Sequence, residues 1–200
     1  MKERFETIAG VFRKKGGMLR MSEALRLGIS RRTLYAMLDS GIIERISRGV
    51  YRLVGLPALE SPDLVAVSKR IPKGVICLIS ALAFHDLTTQ VPHAVDIAIL
   101  RGSEMPRVDY PPTNIYWFSG RAFTEGIEIH SIDGIKVKVY DPEKSLADIF
   151  KYRNKLGTDV ALEALQAWRR RSGRNVEKLL IQARNCRVEK VIRPYLEALL

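Results

Sequence analysis

A chain of 200 residues, 46% of them hydrophobic, can bury a substantial core, organised as one large or two small domains. Its formal net charge of +11 is unevenly spread: residues 1–53 hold 12 Lys/Arg against 5 Asp/Glu, residues 54–150 hold 9 against 12, and residues 151–200 hold 12 against 5. The polar start MKERFETIAG argues against a secretion signal, and the apolar run GVICLISALAF falls short of the ~20 residues of a membrane span, so a cytoplasmic protein without membrane attachment is expected.

The first element is a helix over residues 3–14, from the helical spacing of Phe5, Ile8, Ala9 and Phe12, and Gly16-Gly17 ends it. Ser22 is placed to cap a second, short helix carrying Ala24, Leu25 and Leu27, and Gly28 supplies its stop. Ser30 caps a third helix, RRTLYAMLDSG, closed by Gly41. Two helices separated by a glycine turn give the helix-turn-helix layout. GIIERIS and GVYRL follow as two short strands around Ser47-Arg48-Gly49, a hairpin of the type called a wing.

Basic ends around a mildly acidic middle fit either a polyanionic partner or plain solvated faces. The layout favours the former. With Leu34 and Leu38 turned to a core, Ser30, Arg31, Arg32 and Tyr35 stand at the outward N-terminal end of the recognition helix, where this motif meets base edges. An arginine fork can donate to guanine O6 and N7 together. Arg48 at the wing tip reaches a phosphate or the minor groove, and Arg45 and Arg52 alternate out of the hairpin as phosphate partners. Tyr51 is expected to pack on the helices rather than touch DNA.

The prolines of VGLPALESP mark a junction, which divides the chain into a winged-helix domain, 1–56, and a second domain, 57–200. A helix over DLVAVSKRI comes next. VICLI is a short strand or the entry to a helix, with Ser80 as the cap of ALAFHDL. VDIAIL and IYWF read as strands, and EIHSIDGIKVKVY is a hairpin turning at Asp133-Gly134. Asp141 is an N-cap with Pro142 at the first helical position, and four helices complete the chain. Strands followed by helices make the class α+β: a winged helix-turn-helix, then an α+β domain with a small sheet and C-terminal helices.

Catalytic patterns are sparse. His85-Asp86 reads as a polar helix end. Asp96, Asp109, Glu128 and Lys138 lack the compact spacing of a metal-dependent nuclease, and Asp96 alone fits a structural hydrogen-bonding role. Cys77 and Cys186 stand apart as buried free thiols rather than metal ligands. No enzyme activity, metal or cofactor is expected. The charges of Arg169-Arg170-Arg171 suit a helix C-terminus; with Arg174, Lys178 and Arg184 they leave open a second anion-binding surface.

The segment IAGVFRKKGGMLRMSEALRLGISRRTLYAMLDSGIIERISRGVYRL resembles the N-terminal domain of the AbiEi family, antitoxins of type IV toxin–antitoxin systems. ISALAFHDLTTQVP and YDPEKSLADIFKYRNKLGTDVALEALQAW resemble the later signatures of the same family. The resemblance implies a two-part protein. Its first part represses its own operon by binding double-stranded promoter repeats. Its second part counters a nucleotidyltransferase-type toxin without forming a stable complex. The DNA-contact role carries over to the matching helix and wing residues alone, and no residue of 63–200 receives the antidote role. A winged-helix nuclease with a metal-dependent second domain and a ligand-sensing winged-helix regulator are the alternative readings.

Overall fold

The computed structural model describes residues 2–199. The chain divides into two compact units. The first runs up to Pro72 and includes residues 106–112 and 130–137; the second holds the remainder.

In the first unit, helix α1 (Lys2–Lys14) is followed by strand β1 (Met18–Arg20), helices α2 (Met21–Arg26) and α3 (Arg31–Asp39), strands β2 (Ile43–Ser47) and β3 (Val50–Leu53), and helix α4 (Pro62–Arg70). The three strands pair antiparallel in the order β1-β3-β2. Ile8, Phe12, Ala24, Ile29, Leu34 and Met37 from the helices close over Tyr51 and Leu53 of the sheet. Tyr51 is thus a core residue, as its sequence context indicates, and burial pushes its phenol upward. Gly28 takes φ 79° in the turn between α2 and α3, a left-handed backbone that costs glycine nothing.

Two features of this unit differ from the sequence reading. Met18–Arg20 is a strand, and it runs directly into α2. The helix therefore starts after Arg20 rather than at a Ser22 cap, and Glu23 Oε2 accepts the Arg20 N–H at 2.9 Å.

The remaining strands form a five-stranded mixed sheet in the order β6-β5-β4-β8-β7, from β4 (Val75–Ile76), β5 (Val95–Leu100), β6 (Thr113–Phe118), β7 (Ile127–Ile132) and β8 (Ile135–Tyr140), which belongs to the second unit except for residues 130–137. β5 runs parallel to β6, and β4 parallel to β8. Helices α5 (Leu78–Phe84), the short α6 (Arg121–Thr124), α7 (Pro142–Leu156), α8 (Thr158–Arg170), α9 (Val176–Asn185) and α10 (Glu189–Leu199) complete it. The class is α+β, as the element order predicts. Ser80 is not a cap: α5 already begins at Leu78, and the Ser80 hydroxyl accepts the Asp96 N–H at 2.9 Å. No helix among the described residues is long and apolar enough to cross a membrane.

Helix α7 is the axis of this unit. Asp141 caps it, accepting the Lys144 N–H at 2.8 Å, and the first nine residues of the helix are all buried. Its start is pressed against Gly126, where an added Cβ would lie 2.6 Å from Lys144 Cβ at a φ of 73°. One turn apart within it, Lys144 and Asp148 form an ion pair with side chains 0% and 1% exposed. The Lys144 ammonium also lies 4.0 Å from the centre of the Tyr140 ring, and the Cys186 thiol donates to Asp148 Oδ1 at 3.2 Å. Burial pushes the Asp148 carboxyl upward, opposed by the adjacent ammonium. Burial likewise pushes the Cys186 thiol up to about 12, and Cys77 is also a buried free thiol.

Removing one member of such a pair leaves an uncompensated charge in the core. Lys144→Met is expected to lower stability by about 3–5 kcal/mol in urea unfolding, and Lys144→Met with Asp148→Leu to regain most of that loss. Equal destabilisation by the single and double variants would show that packing, not charge pairing, matters at this position.

Candidate nucleic-acid interface

The residues assigned to DNA contact lie on α3 and the β2–β3 wing. Ser30 is the N-cap of α3: its hydroxyl accepts the Thr33 N–H at 3.1 Å and lies 2.9 Å from the Thr33 hydroxyl. Thr33, Leu34 and Met37 are buried, which turns Arg31, Arg32 and Tyr35 outward. Met37 takes the inward place that the sequence reading gave to Leu38, which is half-buried. Tyr35 is 49% exposed, so its ring offers an apolar contact surface beside the two guanidinium groups. Arg31 and Arg32 form no ion pair among the described residues. Both are exposed, so neither is held inside the unit.

The wing divides its arginines differently from the simple alternation read in the sequence. Arg45 is exposed and opposite Tyr51, and the register shifts between Arg45 and Ser47. Arg48 is exposed at the turn and lies 3.6 Å from Asp109, a surface pair of small energetic weight. Arg52 does not alternate outward. It is 8% exposed, pairs with Glu44 at 3.2 Å and donates through Nη2 to the Pro57 carbonyl. The cause is the third strand: β3 is the central strand, and all four of its residues are buried between β1 and β2. An arginine there ties down the chain that leaves the wing, and its burial keeps it from solvent.

No local signal in the sequence marks the Arg48–Asp109 pair, whose partners are far apart in the chain; Asp109 sits in RGSEMPRVDYPPTN, which matches no motif. Nor does one mark β1, three residues long and too short for a periodic pattern.

Of the residues weighed for catalysis, His85 and Asp96 are held in structural roles. His85 is the buried C-cap of α5; its Nε2 donates to the Tyr140 carbonyl at 2.7 Å, and its own carbonyl accepts from Arg171 at 2.8 Å. Asp96 is buried and accepts from Asn114 Nδ2 at 2.9 Å. Among the described residues no group of three or more His, Cys, Asp or Glu side chains is placed to hold a metal ion. The basic residues near the C-terminus are largely engaged as well: Lys178 bridges Asp141 and Glu143 at 3.2 and 3.6 Å, and Arg184 lies 3.5 Å from Glu189.

A helix-turn-helix with an outward, basic helix and a two-stranded wing is the layout of the DNA-binding part of transcriptional regulators. In agreement, residues 6–54 match the model of a family described as "Transcriptional regulator, AbiEi antitoxin". The family resemblance read from the sequence is thereby matched over residues 6–54; ISALAFHDLTTQVP and the YDPEKS segment lie outside the matched residues. Among solved structures, the crystal structure of RV2827C protein from Mycobacterium tuberculosis resembles this fold with a TM-score of 0.53 and 12% identity, over 92% of this chain and 77% of that one. Curated proteins give no match.

The two classes of polar residue are separable by stability alone. Chemical unfolding is expected to show a loss of about 1 kcal/mol for Ser30→Ala and of about 1–3 kcal/mol for Arg52→Ala. Arg31→Ala and Arg32→Ala should stay within about 0.5 kcal/mol of the parent. A large loss for either of the last two would mean that those arginines are structural.

Proposed function

We propose that this protein is a cytoplasmic, sequence-specific DNA-binding repressor that also serves as the antitoxin of a type IV toxin–antitoxin module. It binds repeats in the promoter of its own operon. Its functional partner is a nucleotidyltransferase-type toxin, which it counters without forming a stable complex. DNA reading belongs to residues 1–56 and the antidote role to residues 57–200. Helix α4, packed on β1 and β3 within the first compact unit, braces the DNA-reading part from beyond that boundary.

The observation that carries the reading is the outward pair Arg31 and Arg32 on a helix whose opposite face, Leu34 and Met37, is fully buried. Buried leucine and methionine fix the rotation of the helix, so the guanidinium groups have one direction to point. Donors so held suit base edges in the major groove, whereas Arg45 and Arg48 on the wing suit backbone phosphates. The family match over residues 6–54 supports the regulatory and antitoxin class.

Base and phosphate contacts leave different signatures. Arg32→Ala, or Arg31→Ala, is expected to cost roughly 1–3 kcal/mol on a promoter repeat and to narrow the gap to a scrambled duplex. Arg48→Ala should weaken both duplexes alike and reduce the slope of log affinity against log salt by about 1. The measurement is binding of each variant to both duplexes across a salt series. Unchanged repeat binding by all three variants would remove α3 and the wing from the DNA-reading surface. Co-expression with a nucleotidyltransferase-type toxin from the same operon tests the antidote role separately: residues 57–200 should restore growth at least partly.

A further inference from the structure

The second unit contains a cavity of about 770 Å³ that the DNA-reading function does not use. It opens where the parallel strands β5 and β6 end. Arg101 follows β5 directly, and Ser119, Gly120 and Arg121 follow β6. Lys151 and Arg153 of α7 form a second wall, and Arg187 after α9 a third. Ligands of sheets with parallel strands gather outside the carboxyl ends of those strands, and the volume lies within the range of about 300–1,000 Å³ typical of small-molecule sites.

Charge is the second, independent observation. Five cationic side chains line this cavity, and no Asp or Glu does. None of the five forms an ion pair among the described residues, whereas Lys144, Lys178, Arg184 and Arg193 of the same unit are each paired with a carboxylate. Five like charges around one concavity repel each other, and a multiply charged anion relieves that repulsion. Two of them are held in place: Arg153 donates to the Phe150 carbonyl at 2.9 Å, and the Lys151 ammonium lies 5.7 Å from the centre of the Phe118 ring. Arginine forks bind phosphate oxygens two at a time. The lining is not cationic throughout, since Ala122, Cys186 and Val188 are buried apolar residues beside the amide of Asn185. Such a floor suits a base and its ribose, with an amide able both to donate and to accept at the base edge.

We propose that this cavity binds a nucleoside polyphosphate, with the phosphates held by Arg101, Arg121, Lys151, Arg153 and Arg187 and the nucleoside seated toward Asn185 and Val188. The site belongs wholly to the second unit and does not rest on the DNA-reading or antitoxin assignment.

Calorimetric titration of the full chain with ATP, GTP and inorganic tripolyphosphate tests this, beside a duplex lacking any promoter repeat. Saturable binding of at least one nucleotide is expected, with Kd below about 1 mM and tighter than that of tripolyphosphate. Arg121→Ala with Lys151→Ala should weaken it at least about tenfold, while Arg170→Ala, outside the cavity, leaves it unchanged. Both altered side chains are exposed, and a melting curve checks that the fold is kept. On the parent protein, hydrogen exchange with the nucleotide present should slow in residues 119–123 and 185–191. Absence of saturable nucleotide binding overturns the proposal, as does slowing confined to other segments. Tripolyphosphate binding as tightly as the nucleotides overturns the nucleoside assignment. If the double variant loses duplex DNA and no nucleotide binds, the cavity is part of a nucleic-acid surface instead.

Discussion

The buried pair of Lys144 and Asp148 is the constraint around which the second unit is arranged. Two opposite charges one turn apart, both out of water, hold only if surrounding groups compensate them, and each neighbouring element supplies a part: the Tyr140 ring from β8, the Cys186 thiol from the end of α9, the Phe118 ring from β6. The first half of α7 is consequently fixed in depth and rotation. Its second half leaves the core with Lys151 and Arg153 on the side of the cavity. The pair need not add stability over an apolar isostere. What it does impose is that α7, β8 and α9 meet in one arrangement.

A comparable logic governs the first unit with apolar groups in place of charges. Leu34 and Met37 anchor α3, and Ser30 closes its first turn, so one face of a nine-residue helix is committed to the core and the other is left exposed. Arg52 is the counterpart in the sheet. Its paired guanidinium secures the segment leaving β3, where a hydrophobic residue could not bond the Pro57 carbonyl. Positive charge in this unit therefore serves two ends, and burial separates them.

Much of this was legible in the sequence. Helical spacing located α1, Ser30 and Gly28 marked the ends that they occupy, and Asp133-Gly134 set the turn between β7 and β8. Asp141-Pro142 announced α7 because a cap and a first-turn proline act through the nearest few residues. The illegible parts share one property, dependence on partners distant in the chain. β1 exists because β3 is there to pair with it, and Arg52 turns inward because β3 becomes a central strand. Ser80 bonds Asp96 across the fold rather than capping the helix of which it is part.

The sequence by itself determined the helix-turn-helix and wing and the α+β class, since both rest on periodicity, caps and turns that act over a few residues; the antitoxin-family resemblance rests instead on matching sequence segments. Tertiary structure alone decided which arginines are exposed. Arg48 and Arg52 are four residues apart in the same hairpin, yet one is exposed at the turn and the other is buried against Glu44. It also decided that Arg101, Arg121, Lys151, Arg153 and Arg187, drawn from four separate segments, surround one cavity without a carboxylate among them. The reason is physical: an unpaired charge is defined by what is absent around it, and only the folded chain brings the neighbours that could have paired it.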